Sequence, residues 1–238
     1  DDAALSVYGY SFFPPEFSTE AYSYLFTSSS AIVNAYGISA AVTICGTLCN
    51  LILTTLYAYP LSRKDLPGRN FFAFFLFFTM LFSGGLVPSY IMWTQTFHIR
   101  NSIFALLVPN LLMGAFNVIM MRTYFTANIP DAVIEAARID GATNFTVFRK
   151  IILPLSMPII VYTALTSFTW PWSDFILPKL LLKTKDTWTV AAGLMSLGDT
   201  EFSRFAAGSI FIAVPIVVLY FVLVRYMING MAAGAVKE

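Results

Sequence analysis

The sequence predicts an all-α integral membrane protein, a polytopic helical bundle, on three observations. Hydrophobic residues make up 58% of its 238 positions and charged residues only 11%. A soluble domain carries roughly a quarter charged residues, so this chain could not cover a water-exposed surface. Five stretches reach the ~20 mostly apolar residues that a spanning helix needs: 32–60, 71–92, 102–125, 151–178 and 205–229. Aromatic residues gather near their ends (Tyr57 and Tyr59, Tyr90 and Trp93, Trp170 and Trp172, Tyr226), as an interfacial belt does. The same composition excludes a disordered chain. The net charge of +1 excludes nucleic-acid binding through a basic field.

Residues 1–30 are polar and aromatic, with no charged-then-apolar export signal. The basic residues orient the spans. Nine fall on one side (Arg63, Lys64, Arg69, Arg122, Arg138, Arg149, Lys150, Arg225, Lys237) and five on the other (Arg100, Lys179, Lys183, Lys185, Arg204). The richer side is expected to be cytoplasmic. Five spans ending in a cytoplasmic C-terminus then make 1–30 a periplasmic segment and 31–238 the transmembrane domain. An exported start without its own signal implies a further N-terminal span ahead of residue 1.

Cys45 and Cys49 lie four apart on one face of the first span and read as small buried apolar residues. Two cysteines and a single histidine are too few for a usual zinc site. His98, beside Arg100, reads as a solvated loop residue. Phe74, Phe75, Phe77 and Phe78 read as lipid-facing or packing residues. The third span contains Asn110, Gly114 and Asn117; the fourth carries Pro158, Pro171 and Pro178; the fifth carries Pro215. Proline removes backbone hydrogen bonds and bends helices. In a membrane such breaks survive where protein or a water-lined cavity satisfies the backbone.

The loop over 126–150, between the third and fourth spans, carries the strongest local signals. Pro130 suits a first helical turn, and Asp131 and Glu135 favour the positive end of that helix. Val133, Ile134 and Ala137 form a short apolar stripe. Gly141 suits a left-handed stop, and Thr143 can cap a second short helix running into Phe145 and Phe148. The spacing predicts two short helices joined by a sharp glycine turn. They are too short to fold alone and either pack back on the bundle or present a ridge to a soluble partner.

Glu135-Ala136-Ala137, three residues, Gly141, nine residues, Ile151, one residue and Leu153-Pro154 resemble the EAA motif of binding-protein-dependent ABC importer permeases. The stretch from Pro130-Asp131 to Pro158, with its Glu-Ala-Ala-Arg-Ile-Asp-Gly run, resembles the sugar-importer branch. Asn229-Gly230-Met231 and Ala233-Gly234-Ala235-Val236-Lys237 are similar to the tail of the maltose-transporter type of permease. Ser83-Gly84-Gly85-Leu86-Val87-Pro88 looks like a segment of its oligosaccharide permeases. The resemblance runs over residues 20–238. It implies the type I ABC importer permease fold, usually with six spans.

The resemblance also implies a mechanism. The permease is not an enzyme and holds no cofactor; ATP and Mg belong to two ATP-binding partner subunits. The sequence carries no G-x-x-x-x-G-K-[ST] phosphate loop. The motif loop would be a coupling element seated on an ATPase, with Glu135 as charged anchor, Ala136 and Ala137 keeping the ridge narrow, and Gly141 allowing the turn. Arg138 and Asp140 belong to the same run, and Gly234 to Lys237 are further ATPase contacts. The periplasmic loop 179–204 would meet a periplasmic or lipid-anchored solute-binding protein. A second, different permease would complete the path for a sugar, candidate lining residues being Asn110, Asn117, Thr166, Trp170, Trp172 and Asp174, in the cytoplasmic (inner) membrane of a bacterium. Trp170 and Trp172 could stack on sugar rings or anchor at the interface. Asp174 reads either as a pathway acid or as a helix-terminus charge. The alternatives are an ABC importer of a non-sugar solute, an ion-coupled secondary transporter and a structural scaffold. Spans almost free of ionisable groups count against the second, and the complete motif counts against the third.

Overall fold

The computed structural model describes Val7, Gly9 and residues 18–27, 30–110, 113–196 and 202–235. Among these residues there are helices and turns but no strand. In chain order they are α1 (Glu20–Thr27), α2 (Ser30–Ser62), α3 (Arg69–Leu81), α4 (Leu86–Ile91, continued by a π turn over Met92–Thr96), α5 (Ile103–Asn110) and α6 (Ala115–Asn128). There follow α7 (Asp131–Ile139), α8 (Asn144–Val147, continued through Phe148–Ile152 and Leu153–Leu155), α9 (Met157–Ser173), α10 (Ile176–Leu181), α11 (Val190–Met195) and α12 (Phe202–Ala235).

Two of the five expected spans are single long helices, Ile32–Ser62 and Phe202–Tyr226. The others are broken. Arg69–Leu81 and Leu86–Thr96 meet at 110°, and Asn144–Leu155 and Met157–Ser173 at 80°. By length and composition, two helices among the described residues could cross a membrane, or up to four if each bent pair is one span. The breaks have local causes. Ser83-Gly84-Gly85 interrupts the first pair, with Gly85 at φ +81, a conformation that glycine adopts without a Cβ penalty. Ser156 (φ −104, ψ 12) interrupts the second, between Pro154 and Pro158, whose missing N–H groups weaken the ladder on either side. The expected span 102–125 is divided between α5 and α6, with extended backbone at Gly114 (φ −70, ψ 118).

The chain divides into two compact units. One draws on the chain up to Ile44, Val87–Val108 and Thr169–Val218; the other on Cys45–Leu86, Pro109–Phe168 and the chain from Leu219. We call them the first and second units.

The second unit has a buried apolar core that includes Ala58, Leu61, Leu76, Val118, Met121, Phe125, Ile134, Val147, Phe148 and Ile152. Beside it, α2 turns its polar face inward. Asn50 Oδ1 accepts from Thr54 Oγ1 at 3.2 Å and from Ser167 Oγ at 3.1 Å, and Thr47 Oγ1 donates to the Ser167 carbonyl at 3.2 Å. Leu48, Ile52, Leu53 and Leu56 of the same helix are exposed. Lipid is as apolar as leucine, so a membrane helix gains from burying polar groups rather than aliphatic ones. Cys45 and Cys49 are free and exposed. The expectation that they are buried is therefore corrected: their helix face is the apolar, outward one.

Among the described residues, the first unit contains small apolar clusters, Val42, Leu106 and Leu182 in one and Trp93, Ala105 and Leu181 in another. The Val190 amide donates to Ser39 Oγ at 2.8 Å, and Thr189 caps α11 by accepting from the Ala192 amide. His98 is exposed in its loop, as expected.

Candidate functional site

The sequence from Asn128 to Leu153 folds in the second unit as its local signals dictate. Pro130 is the residue that caps α7 rather than its first turn, with extended backbone (φ −61, ψ 136). Asp131 opens the helix and Arg138 lies in its last turn, each placed favourably with respect to the helix dipole. Gly141 sits at φ +82. Its amide donates to the Arg138 carbonyl at 3.0 Å, and the Ala142 amide to the Ala137 carbonyl at 2.9 Å. This is the paired hydrogen-bond pattern of a glycine-terminated helix end, which satisfies carbonyls that the helix leaves open. Thr143 then caps α8, accepting from the Thr146 amide at 3.3 Å.

Burial divides α7 into two faces. Ile134 is buried and Ala137 half-buried against the second unit's core. Glu135, Ala136, Asp140 and Gly141 are exposed. Val133 belongs to the exposed face, not to a buried stripe, and Ile139 stands 86% exposed. In α8, Val147 and Phe148 anchor in the core while Phe145 is 66% exposed. The two helices thus present apolar side chains beside the carboxylates of Glu135 and Asp140. Glu135 makes no ion pair among the described residues, so its charge is available to an incoming cation.

Charges hold α7 in place. Arg63 Nη1 lies 3.1 Å from Asp131 Oδ1, with Lys64 Nζ 3.5 Å from Asp131 Oδ2. Arg138 Nη2 lies 3.7 Å from Asp65 Oδ2 and donates to Asn144 Oδ1 at 3.3 Å. Arg138 is therefore engaged within the chain. A groove of about 410 Å³, lined by Tyr59, Pro60, Leu66, Arg138, Phe145 and Phe148 among others, lies between the 63–67 turn and this loop. Sequence reasoning missed Arg63, Asp65 and Asn144 as parts of the site. A run of charges directly after a span was the available signal, but it does not name a partner 68 residues away. It also missed the exposure of Ile139 and Phe145.

The residues expected to line a solute path are divided between the two units. Asn117 (half-buried, first turn of α6) and Thr166 belong to the second unit; Trp170, Trp172 and Asp174 belong to the first. Thr166 donates back to the Tyr162 and Thr163 carbonyls of its own helix. Trp172 is buried, its indole N–H donating to the Ile212 carbonyl at 2.9 Å and its ring 6.1 Å from that of Tyr36. Asp174 Oδ1 accepts from the Ile176 and Leu177 amides at 3.0 and 3.4 Å, which caps the start of α10. Trp170 is 76% exposed. Asn110 ends α5; its side chain lies outside the described residues. Gly234 lies within α12, and Lys237 lies outside the described residues. No group of three or more metal-ligating side chains occurs among the described residues.

Comparison with known proteins gives consistent matches. The family described as binding-protein-dependent transport system inner membrane component matches residues 69–232. The polygalacturonan/rhamnogalacturonan transport system permease protein YtcP of Bacillus subtilis is 32% identical over 94% of this chain and 83% of its own length. The maltodextrin transport system permease protein MdxG of Bacillus subtilis is 32% identical over 86% of this chain and 76% of its own length. Among solved structures, a bacterial ABC transporter involved in the import of the acidic polysaccharide alginate contains a chain of similar fold. Its TM-score is 0.79 at 25% identity, over 94% of this chain and 85% of that one.

Proposed function

Because the chain belongs to the family of binding-protein-dependent transport system inner membrane components, we propose that it is the non-catalytic permease subunit of an ATP-driven ABC importer of oligosaccharides. The observation that carries this reading is the α7–Gly141–α8 ridge, which holds Glu135, Ala136, Ile139 and Asp140 outward on a turn anchored by Ile134 and Phe148. Exposed apolar side chains rimmed by charge suit a protein partner. That partner is an ATP-binding subunit, which holds ATP and Mg. Glu135 supplies the charged contact, and Ala136 leaves the ridge narrow enough to enter a cleft. Ala137 lets α7 lie close on the core, and Gly141 sets the angle between the two helices. The tail from Gly234 to Lys237 adds a further contact.

Two such subunits, a second permease and a solute-binding protein complete the assembly. The loop 179–204 faces the binding protein, and the C-terminus is cytoplasmic. Closure of the ATPases moves the ridge, and the permease pair alternates between inward-open and outward-open forms. The ATP-bound state must favour the outward form by differential interaction, since a ligand shifts an equilibrium only by that difference. The relatives' saccharides, from maltodextrin to polygalacturonan, support an oligosaccharide as solute. Trp170 is the exposed ring available to a sugar face, and Asn117 and Thr166 are polar lining candidates; Trp172 and Asp174 act there by shaping the wall.

The test is co-purification with solute-stimulated ATP hydrolysis. The chain is expressed with its neighbouring permease, ATPase and binding protein in lipid, and a panel of neutral and acidic oligosaccharides is added. Stimulation that requires binding protein and one saccharide, and that collapses in a Glu135→Ala/Gly141→Pro variant, is the expected result. Failure of the ATPase to co-purify with the unsubstituted chain sinks the reading.

A further inference from the structure

The ion pairs around α7 connect it to α2, a helix that the motif does not include. We propose that the 63–65 turn is a second transmission element: Arg63 and Asp65 grip opposite ends of α7 and deliver its displacement directly to α2, in parallel with the route through α8 to α9. The proposal rests on the reading of α7 as the ATPase-docking element.

Arg63 directly follows α2 and is tied to its last turn, its amide donating to the Pro60 carbonyl at 3.0 Å. Its Nε donates to Ser62 Oγ at 3.0 Å, Ser62 Oγ donates to the Tyr59 carbonyl at 2.7 Å, and the guanidinium lies 5.6 Å from the centre of the Tyr59 ring. Its side chain is 10% exposed. A pull on Asp131 therefore reaches the end of α2 without passing through a flexible linker. Asp65 meets Arg138 at the other end of α7. Midway, Ile134 packs in the same buried cluster as Ala58 and Leu61 of α2. The grip has three points, two charged and one apolar.

The polarity of the pairs also sets direction. The turn presents a cation to the N-terminal acid of α7 and an acid to its C-terminal cation. A reversed α7 would oppose like charges at both ends. The two pairs differ in strength. Exposed pairs contribute little, whereas a buried arginine left without its carboxylate is strongly unfavourable. Arg63–Asp131 is thus the principal grip, and Asp65–Arg138 the auxiliary one.

The experiment uses the full complex in vesicles and reads solute taken up per ATP hydrolysed. The solute is whichever of the maltodextrins or oligogalacturonates stimulates the unsubstituted complex. Arg63→Asp and Asp131→Arg are each expected to keep the ATPase bound and to lower uptake per ATP about fivefold or more, the scale of a typical coupling free energy. The charge-swapped double variant is expected to recover to within about twofold, as interacting pairs do in a double-mutant cycle. Asp65→Lys, on an exposed turn, tests the auxiliary grip with little risk to folding; it is expected to lower the ratio less, and Asp65→Lys/Arg138→Asp to restore it. Poor folding alone would reduce yield, hydrolysis and uptake together and leave the ratio unchanged, and an unchanged ratio overturns the proposal. So does a double variant no better than the singles. Loss of the ATPase from the unsubstituted complex is a different result: it takes down the docking reading, and this proposal with it.

Discussion

The α7–α8 segment of the second unit and the loop pair 97–102 and 182–188 of the first unit are both irregular segments held against a helical body, and they are held differently. In the second unit the attachment is mainly apolar and deep: Ile134, Val147, Phe148 and Ile152 are all buried in one cluster. What remains exposed is apolar with acids, Ile139, Phe145 and Glu135. In the first unit the apolar contacts of Ile99, Leu182 and Trp188 are joined by one asparagine that bonds across both loops. The Asn101 N–H donates to the Leu181 carbonyl at 2.9 Å, and its Oδ1 accepts from the Lys183 amide, the Thr184 amide and Thr184 Oγ1 at 3.0 to 3.2 Å. What remains exposed there is mostly polar and charged, His98, Arg100, Lys183, Lys185 and Asp186, with Phe97 as an exposed apolar ring. The difference teaches which surface is built for water and which for a protein. A ridge with apolar side chains at its crest is stable in solution only when something covers it, and deep anchoring keeps such a ridge from collapsing onto its own core.

Substitutions at four positions break or sharpen this comparison. The largest effect is expected for Phe148→Ala, which empties part of the second unit's core; the loss is about 3 kcal/mol. It should appear as a lowered thermal midpoint of the purified complex together with loss of bound ATPase. Equal tolerance of Phe148→Ala and Asn101→Ala would erase the contrast between apolar and hydrogen-bonded attachment.

Asn101→Ala comes next. It removes three exposed hydrogen bonds, each worth about 0.5–1.5 kcal/mol net, and should be read as faster proteolytic nicking within 182–188 with ATPase binding intact. Asn101→Gly relieves the left-handed backbone at φ 51 without restoring the bonds. A return to full protection in the glycine variant would mean that the backbone, not the amide, governs the loop.

Gly141→Val is expected to cost about 1–2 kcal/mol, because a β-branched residue is placed in the left-handed region. Its effect is local: less ATPase should co-purify, while the thermal midpoint moves little. The smallest effect is expected for Thr143→Ala, about 1 kcal/mol of cap, seen as faster hydrogen exchange at the Thr146 amide. No change there would show that the core contacts of Val147 and Phe148 hold α8 unaided.

How far each feature was legible follows from the reach of the interaction behind it. The turn at Gly141 and the cap at Thr143 are decided within four residues, and both appear in the structure where the sequence placed them. The long helices over 32–60 and 205–229 were legible from hydropathy alone. Where the other spans break was not, although Gly85 and the prolines around Ser156 marked the places. The inward side of a membrane helix was legible only in part: Cys45 and Cys49 were expected inside on hydrophobicity, yet in lipid the polar stripe of Thr47, Asn50 and Thr54 decides which side is inward.

The sequence by itself determined the membrane class and the helix–glycine–helix unit, because each depends on composition or on neighbours along the chain; which spans run unbroken it did not, since α12 continues through Pro215, where a bend was expected. Only the tertiary structure decided that Arg63 and Asp65 grip the ends of α7, that Arg138 turns back toward Asp65, that Trp172 and Asp174 are engaged by Ile212 and the start of α10, and that Asn101 joins two loops more than 80 residues apart. A charge or an amide states what kind of partner it needs; which one it meets depends on where the packed helices bring the chain.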